Sequence, residues 1–237
     1  MKKTATTLAA LALIAVMACP ALAANAVRIS QVYGGGGNAG ATYLYDYVEL
    51  YNNSAVSVDI SGWSLQYGSA TGTTDLGTCV NCLTVFPQGA CIGPNGYYLI
   101  QLACGTNTAA PPLPVTPDLA VTPCGTAANN LSATSGKIGL KADNITTPCS
   151  PQTAFVDLVG YGTANCAEGI AAGGLSNSSA AVRNGGGTLD SDNNNLDFTV
   201  SSSFTPHNSQ TPGLPPPDCH PVPTKVQTWG AAKATYR

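Results

Sequence analysis

Beyond its first 23 residues, no segment of this chain carries a convincing 3.6-residue apolar period. A chain without amphipathic helices must build its core from sheets. The remainder consists of short runs that alternate or are wholly apolar, set between turns rich in glycine and asparagine. Residues 26–33 (AVRISQVY) alternate, so Val27, Ile29 and Gln31 are expected on one face and Arg28, Ser30 and Val32 on the other. Residues 45–52 (YDYVELYN) send Val48 and Leu50 one way and Tyr47, Glu49 and Tyr51 the other. Further strands are expected at 56–60, 63–67, 97–102, 137–141, 155–161 and 196–200, with an edge strand at 83–86 stopped by Pro87. Residues 164–172 are the one weak helical candidate, and Gly169 disfavours it. This pattern predicts an all-β antiparallel sandwich or barrel, and residues 24–210 are long enough for one such core.

Residues 1–23 read as a secretory signal. Lys2 and Lys3 form a positive start, residues 8–18 (LAALALIAVMA) an apolar run, and Ala21-Leu22-Ala23 a cleavage site, so the mature chain should begin at Ala24. The run is shorter than the roughly 20 residues of a membrane span, and no later stretch qualifies. Val16-Met17-Ala18-Cys19 loosely resembles a lipobox that would attach lipid to Cys19; Pro20 and the downstream site argue against that anchor. At the other end, residues 211–221 read as a Pro-rich linker and 222–237 as a basic tail carrying Lys225, Lys233 and Arg237 with Trp229 and Tyr236. The tail reads either as a frayed terminus or as a short recognition or sorting tag.

Only 9% of residues are charged and the net charge is −3. There is no cationic surplus with which to neutralise phosphates, so a nucleic-acid partner is not expected. The 44% hydrophobic content excludes a charge-rich disordered chain.

Eight cysteines follow the leader: Cys79, Cys82, Cys91, Cys104, Cys124, Cys149, Cys166 and Cys219. An even count in an exported chain points to disulfides, with the connectivity open. Cys79-x-x-Cys82 also admits a redox pair or half a zinc site. No strand-then-helix context supports the first, and no second C-x-x-C supports the other. His207 and His220 stand isolated in Pro-rich segments. Residues 102–135 form a Pro-rich stretch with few large apolar groups, which cannot offset its own ordering entropy and which Cys104 and Cys124 could staple.

Residues 47–65 resemble the lamin tail domain family. The resemblance rests on Val48-Glu49-Leu50, on Asn52, and on the run Asp59-Ile60-Ser61-Gly62-Trp63-Ser64-Leu65. It continues through the strand containing Asp157. It ends in a closing run like that of bacterial members, with Arg183, Asp190-Ser191-Asp192-Asn193-Asn194, Phe198 and residues 205–209. The resemblance covers about residues 26–210. It implies an immunoglobulin-like β-sandwich, here with a Cys- and Pro-rich loop insertion. It also implies structural roles for Glu49, Asn52, Asp59, Gly62, Trp63 and Asp157. The family supplies no catalytic residues, and its bacterial members are typically exported, some joined to secreted nucleases or phosphatases.

Several constellations carry a second reading. Asp190-x-Asp192-x-Asn194 has the oxygen spacing of a calcium loop, but Asn195 and Ser201 stand where an EF-hand needs Gly and Glu. Either a looser calcium site, helped by Asp197 or Asp157, or a set of Asx-turns fits. Glu49 and Asp157 could pair as catalytic carboxylates or serve as hydrogen-bonded structural acids. Gly34, Gly35, Gly36 and Gly37 lack the Lys-Ser/Thr of a phosphate loop and read as a flexible hairpin loop. Tyr43, Tyr45, Tyr47 and Tyr51 share one parity, and Tyr43 and Tyr45 are expected to be exposed for sugar or protein contact. Sequons at Asn52, Asn130, Asn144 and Asn177 are discounted in a chain whose leader looks bacterial.

The function expected is that of an exported, non-enzymatic structural or interaction module with a protein or surface-polysaccharide partner and no obligatory cofactor. Two alternatives are an accessory binding domain for a secreted nuclease or polysaccharide hydrolase, and a metal-dependent hydrolase using Asp157, Asp190 or Asp192.

Overall fold

A computed structural model describes residues 26–107, 109–121 and 130–219. The signal segment, Cys124 and the basic tail lie outside the described residues. The strands are β1 (Val27–Tyr33), β2 (Tyr45–Asn52), β3 (Val58–Asp59), β4 (Ser64–Ser69), β5 (Leu83–Val85), β6 (Cys91–Ile92), β7 (Tyr97–Cys104), β8 (Leu119–Ala120), β9 (Gly136–Lys141), β10 (Asp157–Tyr161), β11 (Ala180–Arg183) and β12 (Phe198–Ser201). A single helical turn, α1 (Asn194–Asp197), leads into β12. One sheet runs β12-β11-β1-β2-β7-β8, a second runs β10-β9-β4-β5, and β3 pairs with β6. Among the described residues these strands pair antiparallel except β7 with β8, and an isolated parallel bridge joins Tyr161 of β10 to Ala172. The expected all-β immunoglobulin-like sandwich is the fold.

The main core lies between the two sheets and includes Val27, Ile29, Val48, Leu50, Trp63, Leu65, Ile100, Ile138, Leu140, Val159 and Tyr161. Two smaller cores lie outside it. Tyr33, Tyr47, Leu99, Ala180 and Phe204 cover the outer face of the six-stranded sheet, under Leu113 and Val115 of the Pro-rich stretch. Leu76, Phe155 and Leu158 cover the outer face of the four-stranded sheet, beside Cys149 and Cys166. The Pro-rich stretch is thus a cover: the Pro111 carbonyl accepts from Leu44 N–H at 2.7 Å. A sheet buried on both faces loses its polar alternation, and β2 accordingly reads as buried along nearly its whole length.

Three expectations change. In β1 the register slips between Ile29 and Gln31, a bulge at Ser30. One extra residue reverses the parity, so Val32 joins Val27 and Ile29 in the core while Gln31 turns outward. The four glycines are a closely packed seam. A Cβ on Gly34, Gly35 or Gly36 would lie 2.2–2.6 Å from the backbone of Ser132, Asn177, Asp46 or Tyr45. Tyr43 and Tyr45 are half-buried, because the Pro-rich cover meets them; Tyr43 packs edge-on against Tyr33 and Phe204. Residues 164–172 form no helix, as Gly169 suggested, and β6, β8 and β11 are too short to announce themselves in the sequence.

Disulfides join Cys79 to Cys82, Cys91 to Cys219, and Cys149 to Cys166. Cys104 is also disulfide-bonded. Residues 211–219 pack back onto the sandwich: Asp218 N–H donates to Ser57 Oγ at 3.0 Å.

The sequence separations of 128, 17 and 3 residues order the expected stabilities. Loop-closure entropy gives about 5, 3 and 2 kcal/mol for Cys91–Cys219, Cys149–Cys166 and Cys79–Cys82. Paired Cys→Ser variants compared by urea denaturation should lose stability in that order.

Candidate functional site

Two polar centres gather Glu49, Asp157, Asp190 and Asn194 from among the residues singled out by sequence. The first closes the sandwich edge. Asp157 points inward from β10, and its Oδ2 accepts from Ile29 N–H of β1 and from Arg183 Nη2 of β11, both at 2.6 Å. Arg183 Nε donates to the Ile29 carbonyl at 2.8 Å, and Nη1 to the Leu189 carbonyl at 3.0 Å and to Asp190 at 3.3 Å. The guanidinium lies 4.5 Å from the Phe198 ring centroid, and its side chain is fully buried. Every guanidinium nitrogen is therefore committed inside the protein. Asp190 also pairs with Arg28 Nε at 3.0 Å.

The calcium-spaced residues are divided among other tasks. Asp190 serves the two arginines. Asn194 is fully buried and fills the free edge of β10, donating to the Leu158 carbonyl at 3.0 Å and accepting from Gly160 N–H at 2.8 Å. Glu168 completes that edge by accepting from Leu158 N–H at 3.1 Å. Asp192 is exposed, with a positive φ of 53°. Asp197 accepts from Ser191 Oγ at 2.6 Å and from Ser191 and Asn193 N–H groups. Burial opposes its ionisation, yet those donors hold Asp197 below the usual carboxylate range. Glu168 is pushed up to about 8 by burial and by the neighbouring Asp157 and Asp190 charges. Asp157 is also raised, because burial outweighs the pull of Arg183.

The second centre surrounds Glu49, on the outer face of β2 and 1% exposed. Its carboxylate accepts from Ser30 Oγ at 2.6 Å, from Gln31 Nε2 at 3.1 Å, and from the backbone N–H of His207 at 2.5 Å. His207 Nδ1 lies 3.2 Å from Glu49 Oε2, and its ring stacks on Tyr97 at 4.5 Å. Glu49 and Asp157 are not brought together. The Ser30 hydroxyl also gives no serine nucleophile for His207, since it donates to the acid itself.

The remaining family positions build corners. Asn52 Nδ2 donates to the carbonyls of Val56, Ile92 and Gly93 at 2.8–3.2 Å, tying β2 to β6. Asp59 Oδ1 accepts from Ser61 N–H at 2.8 Å, and Gly62 takes a φ of 76° that a side chain would strain. That turn delivers Trp63 into the main core.

Sequence reading missed Arg28, Ser30, Gln31, Glu168 and His207 as members of these centres. Gln31 carried a signal, as the cross-strand neighbour of Glu49, while Ser30 joins it only because of the bulge; Arg28 and His207 reach their partners across some 160 residues.

Sandwich topology and polar centres turned to structural use define an immunoglobulin-like structural domain. Residues 20–163 match the model of the Lamin Tail Domain family, and the chain belongs to that family. The match ends before β11 and β12, which carry Arg183 and the closing strand. No curated protein matches the chain.

The Glu49 contact raises the His207 pKa. Its stabilisation is therefore complete below the unfolded value near 6.5 and lost as pH rises through the higher folded value. His207→Gln should cost more stability at about pH 5.5 than at about pH 8.5 in urea titrations. An equal cost at both would show that the pair does not titrate.

Proposed function

We propose that the chain is an exported, non-enzymatic structural or interaction module acting at the cell surface or outside the cell. The observation that carries this reading is the disulfide set, which ties the 149–166 loop and the 211–219 segment onto the sandwich. Such bonds persist in oxidising compartments. The leader-like residues 1–23 agree with that setting. Among the described residues, no helix is long and apolar enough to cross a membrane. Non-enzymatic action is supported by the way the carboxylates are spent: Asp157, Asp190, Asp197 and Glu49 each hold backbone or cationic groups of the fold. Family membership favours the same role.

Intact mass of the protein from its native host, fraction by fraction, tests this. The expected product starts at Ala24, appears in an exported fraction, and gains about 8 Da on reduction as eight thiols form. A cytoplasmic product starting at Met1 with free thiols would contradict export. A product lipidated at Cys19 would instead place the module on a membrane.

A further inference from the structure

Lys137 lies in β9 on the outer face of the four-stranded sheet. Its register partners are Gly68 of β4 and Gly160 of β10. Neither glycine sets a side chain beside it in the ladder: the lysine stem passes over Gly68, where an added Cβ would lie 3.5 Å from Lys137 Cε, while Cys166 and Ala167 pack closely over Gly160. The residue is 2% exposed. Nζ donates to the Gly72 carbonyl and to Asn165 Oδ1, both at 2.7 Å. Both acceptors are neutral, and an ammonium has a third N–H to give. Arg28, Lys141 and Arg183 each pair with a carboxylate, while Lys137 makes no ion pair among the described residues. A buried charge without a counter-charge is costly. Burial lowers the Lys137 pKa, and no acid offsets it.

A cleft of about 530 Å³ opens at this lysine. Thr73, Thr74, Ser150, Gln152 and Asn165 line it with hydroxyls and amides, and the Cys149–Cys166 disulfide forms part of its wall. No carboxylate is among the lining residues, although residues 24–212 hold eleven acidic groups against four basic ones. Two other large clefts among the described residues differ: Asp59 and Asp118 line one, and Glu168, Asp190 and Asp192 the other.

We infer that the cleft over Lys137 binds a small carboxylate-bearing ligand of sugar-acid type. The ammonium takes the carboxylate through a charge-assisted hydrogen bond, and the surrounding hydroxyls and amides take the ring hydroxyls. The volume falls in the range of small-molecule sites. The inference goes beyond the proposed module role and stands whether or not the chain is exported.

Calorimetric titration of the oxidised mature chain with sodium glucuronate, glucose and phosphate tests it, alongside Lys137→Met and Asn165→Asp. Glucuronate should bind, with glucose at least about tenfold weaker, since it lacks the charge-assisted contact. Lys137→Met should fold and lose glucuronate affinity by about tenfold or more. Asn165→Asp should lose it similarly while raising the melting temperature, because its own carboxylate fills the anion position. Tighter binding of a uronic-acid oligomer than of glucuronate would assign the site to an acidic polysaccharide; equal binding would assign it to the free acid. No glucuronate binding by the folded wild type, binding of phosphate alone, or unchanged affinity in Lys137→Met would overturn the inference.

Discussion

A buried guanidinium holds the two sheets of this sandwich together at one edge. Arg183 stands on β11 of the larger sheet, and Asp157 on β10 of the smaller one. Between them lies the β1 backbone, whose Ile29 N–H goes to the acid and whose carbonyl goes to the arginine. A charge with no solvent access is tolerable only when its donors are matched, and here each nitrogen has a partner. The same arginine reaches the Leu189 carbonyl, Asp190 and the Phe198 ring, so the loop between β11 and β12 is organised around it. The closing strand depends on that loop, and the free edge of β10 depends on Asn194 within it. Covering an edge in this way removes a template for unwanted strand pairing.

How much of this could be read from sequence follows from geometry. β2 was legible because its alternation is regular and its inward residues are aliphatic. β1 was legible as a strand but not in phase, because the bulge at Ser30 leaves no compositional mark. The glycine run was misread as a flexible loop because three of its four glycines pack against backbone from distant parts of the chain, at Ser132, Asn177 and Gly105. Tyr43 and Tyr45 were misread because the Pro-rich stretch, which looks unable to pack, supplies Leu113 and Val115 as their cover. The ionic centre was half legible. Family likeness marked Asp157, Arg183 and Asp190 but not their connection, which joins residues up to 162 positions apart through Arg28 and Asp190.

The functional picture follows from where polarity is spent. Residues spaced like a calcium loop or a carboxylate pair are largely committed to holding strands, turns and edges. Glu49 fixes His207 and hence the returning segment, and the disulfide at Cys219 fastens that segment to β6. The outer faces of both sheets are covered, one by the Pro-rich stretch and the other beside the Cys149–Cys166 disulfide. Lys137 is the exception to this thrift, a buried cation that meets neutral acceptors only among the described residues.

A double-mutant cycle on Asp157 and Arg183 tests most directly whether the polar centre is a structural clasp. Each alanine variant strands charge in the interior and should cost about 3–5 kcal/mol, with Arg183→Ala the worse because Asp197 also loses its nearby cation. The double variant should cost clearly less than the two losses added together, revealing their coupling. Small or strictly additive losses would contradict the clasp and reopen a catalytic or ligand-binding role for these carboxylates.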